Sequence, residues 1–293
     1  MPTPERRSLP LSVLQAVILG LTQGLTEFAP VSSSGHLIIV PWLFHWSIVN
    51  DPVLNKTFDV ALHIGTLVGA LAYFWRDVVK YLRAFGRSIA NRSLAETDER
   101  LAWALVIGTI PGAIAGAAFE ETITRKLGQP WLIAVMLAVF GVVLWWVDVR
   151  SSSDRGFESI GVRTGLLVGV AQALALQPGV SRSGITMTAS RLLGIDRGSA
   201  ARFSFLLAMP IIAGAGLVKG VDLVHTGFQG YGSQFLWGFV ASAISGFLVI
   251  WGLLGYLRRH TFTVFMWYRL AVAALMLILI ATGARSATIL PAA

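Results

Sequence analysis

Between Gln23 and His36 the chain reads Gln-Gly-Leu-Thr-Glu-Phe-Ala-Pro-Val-Ser-Ser-Ser-Gly-His, which sets the Glu27 carboxylate, three hydroxyls (Ser32, Ser33, Ser34) and the His36 imidazole in an otherwise apolar region. A second stretch, Pro-Gly-Val-Ser-Arg-Ser-Gly at 178–184, puts the Arg182 guanidinium between two serines. At membrane depth an ionisable side chain costs roughly 2.5–3.5 kcal/mol on insertion scales, so those that persist face a polar cavity and act there. Arg182 is a planar, permanently charged donor suited to gripping a phosphate with two hydrogen bonds. Ser181, Ser183, Thr188 and the backbone N–H groups of a loop carrying Gly179 and Gly184 would complete a cradle for an anion.

The first stretch offers the reacting groups. Ser33 is a candidate nucleophile or phosphate ligand, and His36 a candidate nucleophile, general base or general acid. Ser32, Ser34 and Gly35 add contacts to the substrate, although serine runs also serve simply to cap broken helices. Glu27 repels a bare phosphate, so its presence beside such a cradle points to a bridging divalent cation, Mg²⁺ or Ca²⁺, which prefer oxygen ligands. Gln23, one helical turn before Glu27, is the candidate second ligand.

The elements that must hold these groups are membrane helices. Of 293 residues, 55% are hydrophobic and 13% charged, against roughly 25% charged in soluble domains, and mean hydropathy is +0.70. Apolar runs at Thr57–Trp75, Leu101–Phe119, Trp131–Val147, Thr164–Val180, Phe203–Val218, Phe235–Leu257 and Leu270–Ala284 approach the ~20 residues that cross a bilayer as helix. The basic connection from Arg76 to Arg100 marks a cytoplasmic side. Arg6 and Arg7 precede an apolar run, Leu9–Leu21, with no small-residue cleavage site after it, so that run is expected to be retained. The absence of cysteine excludes disulfides and thiolate chemistry. The net charge of +8 is spread over short loops, which fits orientation in an anionic membrane and not a nucleic-acid partner. Asp59 and His63 share one helix face and read as a supporting pair or a buried structural hydrogen bond, while Asp148, at a span end, reads as solvated.

The chain also carries an internal repeat. Setting Gln23 against Gln172 aligns Ser32-Ser33-Ser34-Gly35 with Ser181-Arg182-Ser183-Gly184, each preceded by a proline and followed by three spans. Three crossings is an odd number, so a motif on a re-entrant helix pair makes the second copy inverted relative to the first. The predicted fold is therefore an all-α, polytopic membrane protein of two inverted-topology repeats, 1–150 and 151–293, each a re-entrant helix pair plus three spanning helices. With Arg76–Arg100 inside, fifteen Lys and Arg fall inside and seven outside, among them Arg6, Arg7 and Arg125. Small-residue spacings at Gly65/Gly69, Gly108/Gly112/Gly116 and Gly161/Gly165/Gly169 would let helices approach closely around the site.

The stretches at 23–36 and 178–184, with weaker features at Lys56-Thr57-Phe58, 203–210 and Tyr268-Arg269, resemble the signature motifs of the bacterial undecaprenyl-diphosphate phosphatase family of the bacitracin-resistance type. The resemblance covers essentially the whole chain. It implies hydrolysis of undecaprenyl diphosphate to the monophosphate, recycling a lipid carrier for cell-wall synthesis, in the bacterial cytoplasmic membrane with the site toward the periplasmic face. Bacitracin resistance on overexpression is part of the same expectation. One departure is Gln23, where many members have Glu, which leaves one fewer negative ligand for a cation. Polyprenyl diphosphate and membrane lipids are the expected partners, and a homodimer is compatible with the sequence. The alternative from a different class is an inverted-repeat transporter or flippase of a lipid phosphate or anion, which would not need Ser33 and His36 beside Arg182.

Overall fold

The computed structural model describes residues 11–46, 52–122, 126–228 and 230–289; Arg6, Arg7 and Arg125 of the charge argument lie outside them. Among the described residues the chain is helical, with no strand beyond an isolated bridge between Arg155 and Ile195. The helices are α1 (Val13–Phe28), α2 (Ser33–Phe44), α3 (Pro52–Asn91), α4 (Thr97–Thr122), α5 (Pro130–Arg150), α6 (Val162–Gln172), α7 (Arg182–Leu192), α8 (Arg197–Thr226), α9 (Gly232–Leu257) and α10 (Thr263–Ala281). Six of them, α3, α4, α5, α8, α9 and α10, are long and apolar enough to cross a membrane. The short helices form two hairpins, α1–α2 and α6–α7, whose tips are the two polar motifs.

Two features differ from the sequence expectation. The span expected at Thr57–Trp75 continues through the basic stretch to Asn91, with a break in helical geometry only at Phe74 (φ −100°, ψ 18°). Nothing between Arg76 and Asn91 breaks a helix, and Lys80 and Arg87 are held by Asp98 and Glu96 at 2.7 and 2.9 Å, which leaves residues 92–96 as the connection to α4. Asp148, expected to be solvated, is buried: its Oδ1 lies 2.9 Å from Arg191 Nε and 2.8 Å from Arg197 Nε, and its Oδ2 accepts from the Phe262 N–H at 3.3 Å. Removing one partner from such a cluster would strand a buried charge, at a cost of about 3–5 kcal/mol.

Hydrogen bonds gather the helix ends into two groups. One group joins Leu11 O to Gln234, Leu43 O to Arg285, Trp42 to Ser286 O and Trp131 N to Ala287 O. The other contains the Asp148 cluster, the Asp77–Arg202 pair and the bond from Arg155 Nη1 to Leu193 O. Since α5 and α10 each run from one group to the other, the open ends of α1–α2 and of α6–α7 lie at opposite ends of these helices.

Close approach of the hairpins to the spans depends on residues without a side chain. A Cβ on Gly165 would sit 2.3 Å from Ala104 O, and one on Gly24 1.9 Å from Ser245 Oγ. The first contact seats α6 against α4 and the second seats α1 against α9. Where two backbones meet this closely, van der Waals packing holds helices together in a medium that supplies no hydrophobic drive between them.

Candidate active site

Each hairpin tip is built by the same local device. In α1 the helix stops at Phe28 because Ala29 precedes Pro30 and is extended (φ −65°, ψ 140°). Ser32 then caps α2 from an unusual conformation (φ 75°, ψ 90°), its Oγ accepting from the Gly35 N–H. Ser181 caps α7 in nearly the same way (φ 77°, ψ 118°), with its Oγ accepting from the Gly184 N–H. A non-glycine residue in such a region costs of order 1–3 kcal/mol and persists only where its surroundings hold it. Gly179, at φ 97°, lies so near Ile133 that an added Cβ would be 2.8 Å from that residue's carbonyl oxygen.

The surroundings that hold both tips are each other and Arg269. The Gly179 N–H donates to Ser32 Oγ at 2.9 Å, and Ser183 Oγ donates to Ala29 O at 3.0 Å. Arg269 of α10 is fully buried. Its guanidinium donates to Pro30 O of the first tip, to Gly179 O and Val180 O of the second, and to Met136 O and Leu137 O of α5. One side chain thus ties both breaks to a spanning helix.

The joined tips wall a cavity of about 320 Å³, which Glu27, Ser32, Ser33, Ser34, Ser181 and Arg182 line. Glu27 Oε1 is paired with Arg182 Nη2, which closes a charge pair between the two motifs. Glu27 Oε2 accepts from Ser33 Oγ at 2.6 Å and from Gln23 Nε2 at 2.9 Å. His63 of α3 also lines the cavity, with Nε2 3.6 Å from the same carboxylate oxygen. Because a carbonyl only accepts, the 2.8 Å contact between His63 Nδ1 and Asp59 O puts a proton on Nδ1 and turns Nε2 toward Glu27.

The other candidates fall around this centre. His36 is buried and does not line the cavity; its Nδ1 donates to Ser32 O at 2.8 Å and its Nε2 meets Tyr268 Oη at 2.8 Å. Gly35 and Gly184 sit at the starts of α2 and α7, donating their N–H groups to the cap serines. Thr188 is buried in α7, where its hydroxyl donates back to Gly184 O. Gln23 is fully buried, and its Oε1 has no hydrogen-bond partner. Three residues at the site do more than their sequence pattern shows. His63 reads as one of a supporting pair with Asp59, Arg269 enters only with Tyr268 as a weaker feature of the resemblance and as one of the fifteen inside cations, and Gln172, which lines the cavity, serves only to align the repeats. The last had a usable signal, since it stands in the second copy where Gln23 stands in the first.

The donor set bears on a cation. Glu27 is the sole carboxylate lining the cavity, and among the described residues no cluster of three or more acidic or histidine side chains would cage an ion. Both oxygens of that carboxylate are engaged, by Arg182 on one side and by Ser33 and Gln23 Nε2 on the other, and Gln23 Oε1 does not face the cavity, so a Mg²⁺ bound there would take most of its ligands from water and substrate phosphate.

The family model for bacitracin resistance protein BacA matches residues 16–275. Curated relatives named undecaprenyl-diphosphatase cover nearly the same length. The protein of that name from Moorella thermoacetica is 47% identical over 268 residues, 91% of this chain and 97% of the relative. Those from Pelotomaculum thermopropionicum and Thermomicrobium roseum are 45% and 44% identical, over 93% and 92% of this chain and 98% and 99% of their own.

The Arg269 network makes a stability prediction. Lysine keeps the charge but has three donors and no planar fork, so Arg269→Lys leaves buried carbonyls unpaired at about 1–3 kcal/mol each. The melting midpoint in detergent should fall by roughly 5 °C or more. A midpoint equal to that of the unaltered protein would show that the tips are held together without this side chain.

Proposed function

Because the chain belongs to the bacitracin resistance protein BacA family, we infer that the cavity between its two motifs is where a lipid diphosphate is cleaved. It hydrolyses undecaprenyl diphosphate to undecaprenyl phosphate and inorganic phosphate, which recycles the lipid carrier used in cell-wall synthesis. It does so as a multi-pass membrane protein.

The observation that carries the mechanism is the Glu27 carboxylate, which accepts from Ser33 on one oxygen and pairs with Arg182 on the other. A hydroxyl bonded to a carboxylate and facing a cavity beside a guanidinium is an activated nucleophile next to a phosphate ligand. With substrate bound, Arg182 and the N–H groups around Ser181 hold the distal phosphate. Ser33 Oγ attacks its phosphorus and gives its proton to Glu27 Oε2. The bond from phosphorus to the bridging oxygen breaks, and the electron pair leaves with undecaprenyl phosphate, which takes the proton from Glu27. Water then attacks the phosphoserine, with Glu27 receiving its proton and returning it to Ser33 as inorganic phosphate departs. His36, whose two ring nitrogens are engaged by Ser32 O and Tyr268, acts as a positioning residue for the Ser32 turn and not as the attacker.

Glu27 Oε1, once Arg182 shares its donors with phosphate, is the atom that would hold a divalent cation, and Gln23 Oε1, which has no hydrogen-bond partner, would be a second oxygen ligand after a turn of its amide. Such a cation neutralises diphosphate charge. The positive-inside pattern and the opposite placement of the two hairpin openings support an inverted pair of repeats in the cytoplasmic membrane, with α1–α2 opening to the outer face and substrate arriving from there.

Three outcomes test this reading. Ser33→Ala should lower phosphate release at least about 10³-fold, and a quenched turnover of the unaltered protein should carry phosphate on the peptide containing Ser33. A rapid-quench search that finds full single-turnover release with no phosphopeptide would give the attack to water. Chelation should stop release without lowering the melting midpoint, and Gln23→Glu should lower the Mg²⁺ concentration needed for half-maximal rate. An unchanged midpoint in that titration removes residue 23 from the cation, and activity that survives chelation leaves Glu27 with proton transfer alone. Finally, single cysteines introduced into this cysteine-free chain report orientation: an impermeant thiol reagent on intact cells should label Gly230→Cys and spare Arg92→Cys, and the reverse pattern would turn the protein over.

A further inference from the structure

A second cavity, of about 390 Å³, lies along the same helices and has an almost wholly apolar wall, including Leu67 and Leu71 of α3, Leu105 and Val106 of α4, and Met209 and Ala213 of α8. Its residues continue the stripes that line the polar cavity. On α3, Val60 and His63 are followed at helical spacing by Leu67 and Leu71. On α4, Leu105 lies two turns from Gly112, and on α8 Met209 lies one turn from Ile212. All three helices therefore lead away from Glu27 in one direction, toward the Arg83 end of α3. From Leu67 to Leu82 the seam extends over roughly 22 Å at ~1.5 Å per residue. Leu71 and Val106, each 38% exposed, leave it open on its outer side.

Resting on the diphosphatase reading above, we propose that this seam between α3, α4 and α8 is the groove that binds the polyprenyl chain of the substrate. A diphosphate held by Arg182 leaves its chain at the wall of the polar cavity, and the apolar seam that follows from that wall at helical spacing on three helices is this one. Other cavities along α3 are lined by charge, with Lys80, Asp98 and Arg202 in one and Asp77, Arg202 and Arg258 in another, and suit no hydrocarbon. The departure from helical geometry at Phe74 falls between the groove residues Leu71 and Val78 of α3, and Pro210 of α8 lines the groove. Because lipid tails are as apolar as leucine, the groove adds packing and orientation and not hydrophobic burial. Its effect belongs in the apparent affinity for long-chain substrate, with the chemical step untouched.

The test compares chain lengths. Val106→Phe and Leu82→Trp each put a ring into the groove away from its mouth; the KM for undecaprenyl diphosphate should rise about three- to tenfold relative to that for farnesyl diphosphate, whose short chain ends near the groove mouth, with kcat little changed. Leu275→Phe, on the exposed face of α10, should alter neither ratio. Equal changes for both chain lengths, or none, would overturn the groove. A second measurement uses the unaltered protein: a polyprenyl diphosphate with a photoreactive diazirine in mid-chain should crosslink to peptides around Leu105 and Met209, and labelling confined to α9 or α10 would overturn the groove. Failure of the underlying reading looks different, because the unaltered protein would then release no phosphate from either diphosphate.

Discussion

A carboxylate buried in a membrane protein has to meet positive charge without water, and here it meets a guanidinium across the two motifs. Glu27 sits near the end of α1 and Arg182 at the start of α7, more than 150 residues apart in sequence and joined as an ion pair. The pair holds only if two hairpin tips arrive at the same depth. Much of the rest of the structure serves that requirement: glycine contacts that let α1 and α6 press against spanning helices, cap serines that accept an unfavourable backbone conformation, and Arg269, which binds carbonyls of both tips at once.

The same constraint explains why the site can do chemistry. A broken helix at membrane depth exposes N–H groups and hydroxyls that need partners, and a phosphate is a partner that an unbroken helix could not take. The strain at Ser32 and Ser181 is confined to the residues that turn their neighbours toward the cavity, and tertiary hydrogen bonds hold both turns in place. Pairing between Glu27 and Arg182 also keeps each charge satisfied in a cavity with few other polar partners. The two copies of the motif are not equivalent in this respect. The second has Leu176 where the first has Glu27, so the cavity has one carboxylate, with lining residues from both motifs.

Much of this was legible in the sequence for a physical reason. Charge and hydroxyl groups are rare in apolar runs, so Glu27, the serine triplet and Arg182 stood out, and the membrane setting followed from hydropathy. The boundaries were less visible. The basic residues after Trp75 read as a loop because they are polar, whereas a helix leaving the membrane can stay helical when its charges find partners such as Asp98 and Glu96. Asp148 reads as solvated for the same reason, and pairing at long range with Arg191 and Arg197, which local pattern cannot reveal, buries it. His63 needed the fold as well, since nothing in a four-residue spacing on α3 points it at a carboxylate on α1.

The central claim is that the two tips form one phosphate site, with Arg182 exchanging the carboxylate for the substrate. It is tested most directly by a structure of the protein with a polyprenyl diphosphonate whose bridging oxygen is replaced by methylene. The distal phosphonate should lie within hydrogen-bond distance of Arg182 and the Ser181 turn, with Ser33 Oγ opposite the bridging carbon and still bonded to Glu27. A diphosphonate seated away from Arg182, with the Glu27–Arg182 pair unaltered, would contradict the account.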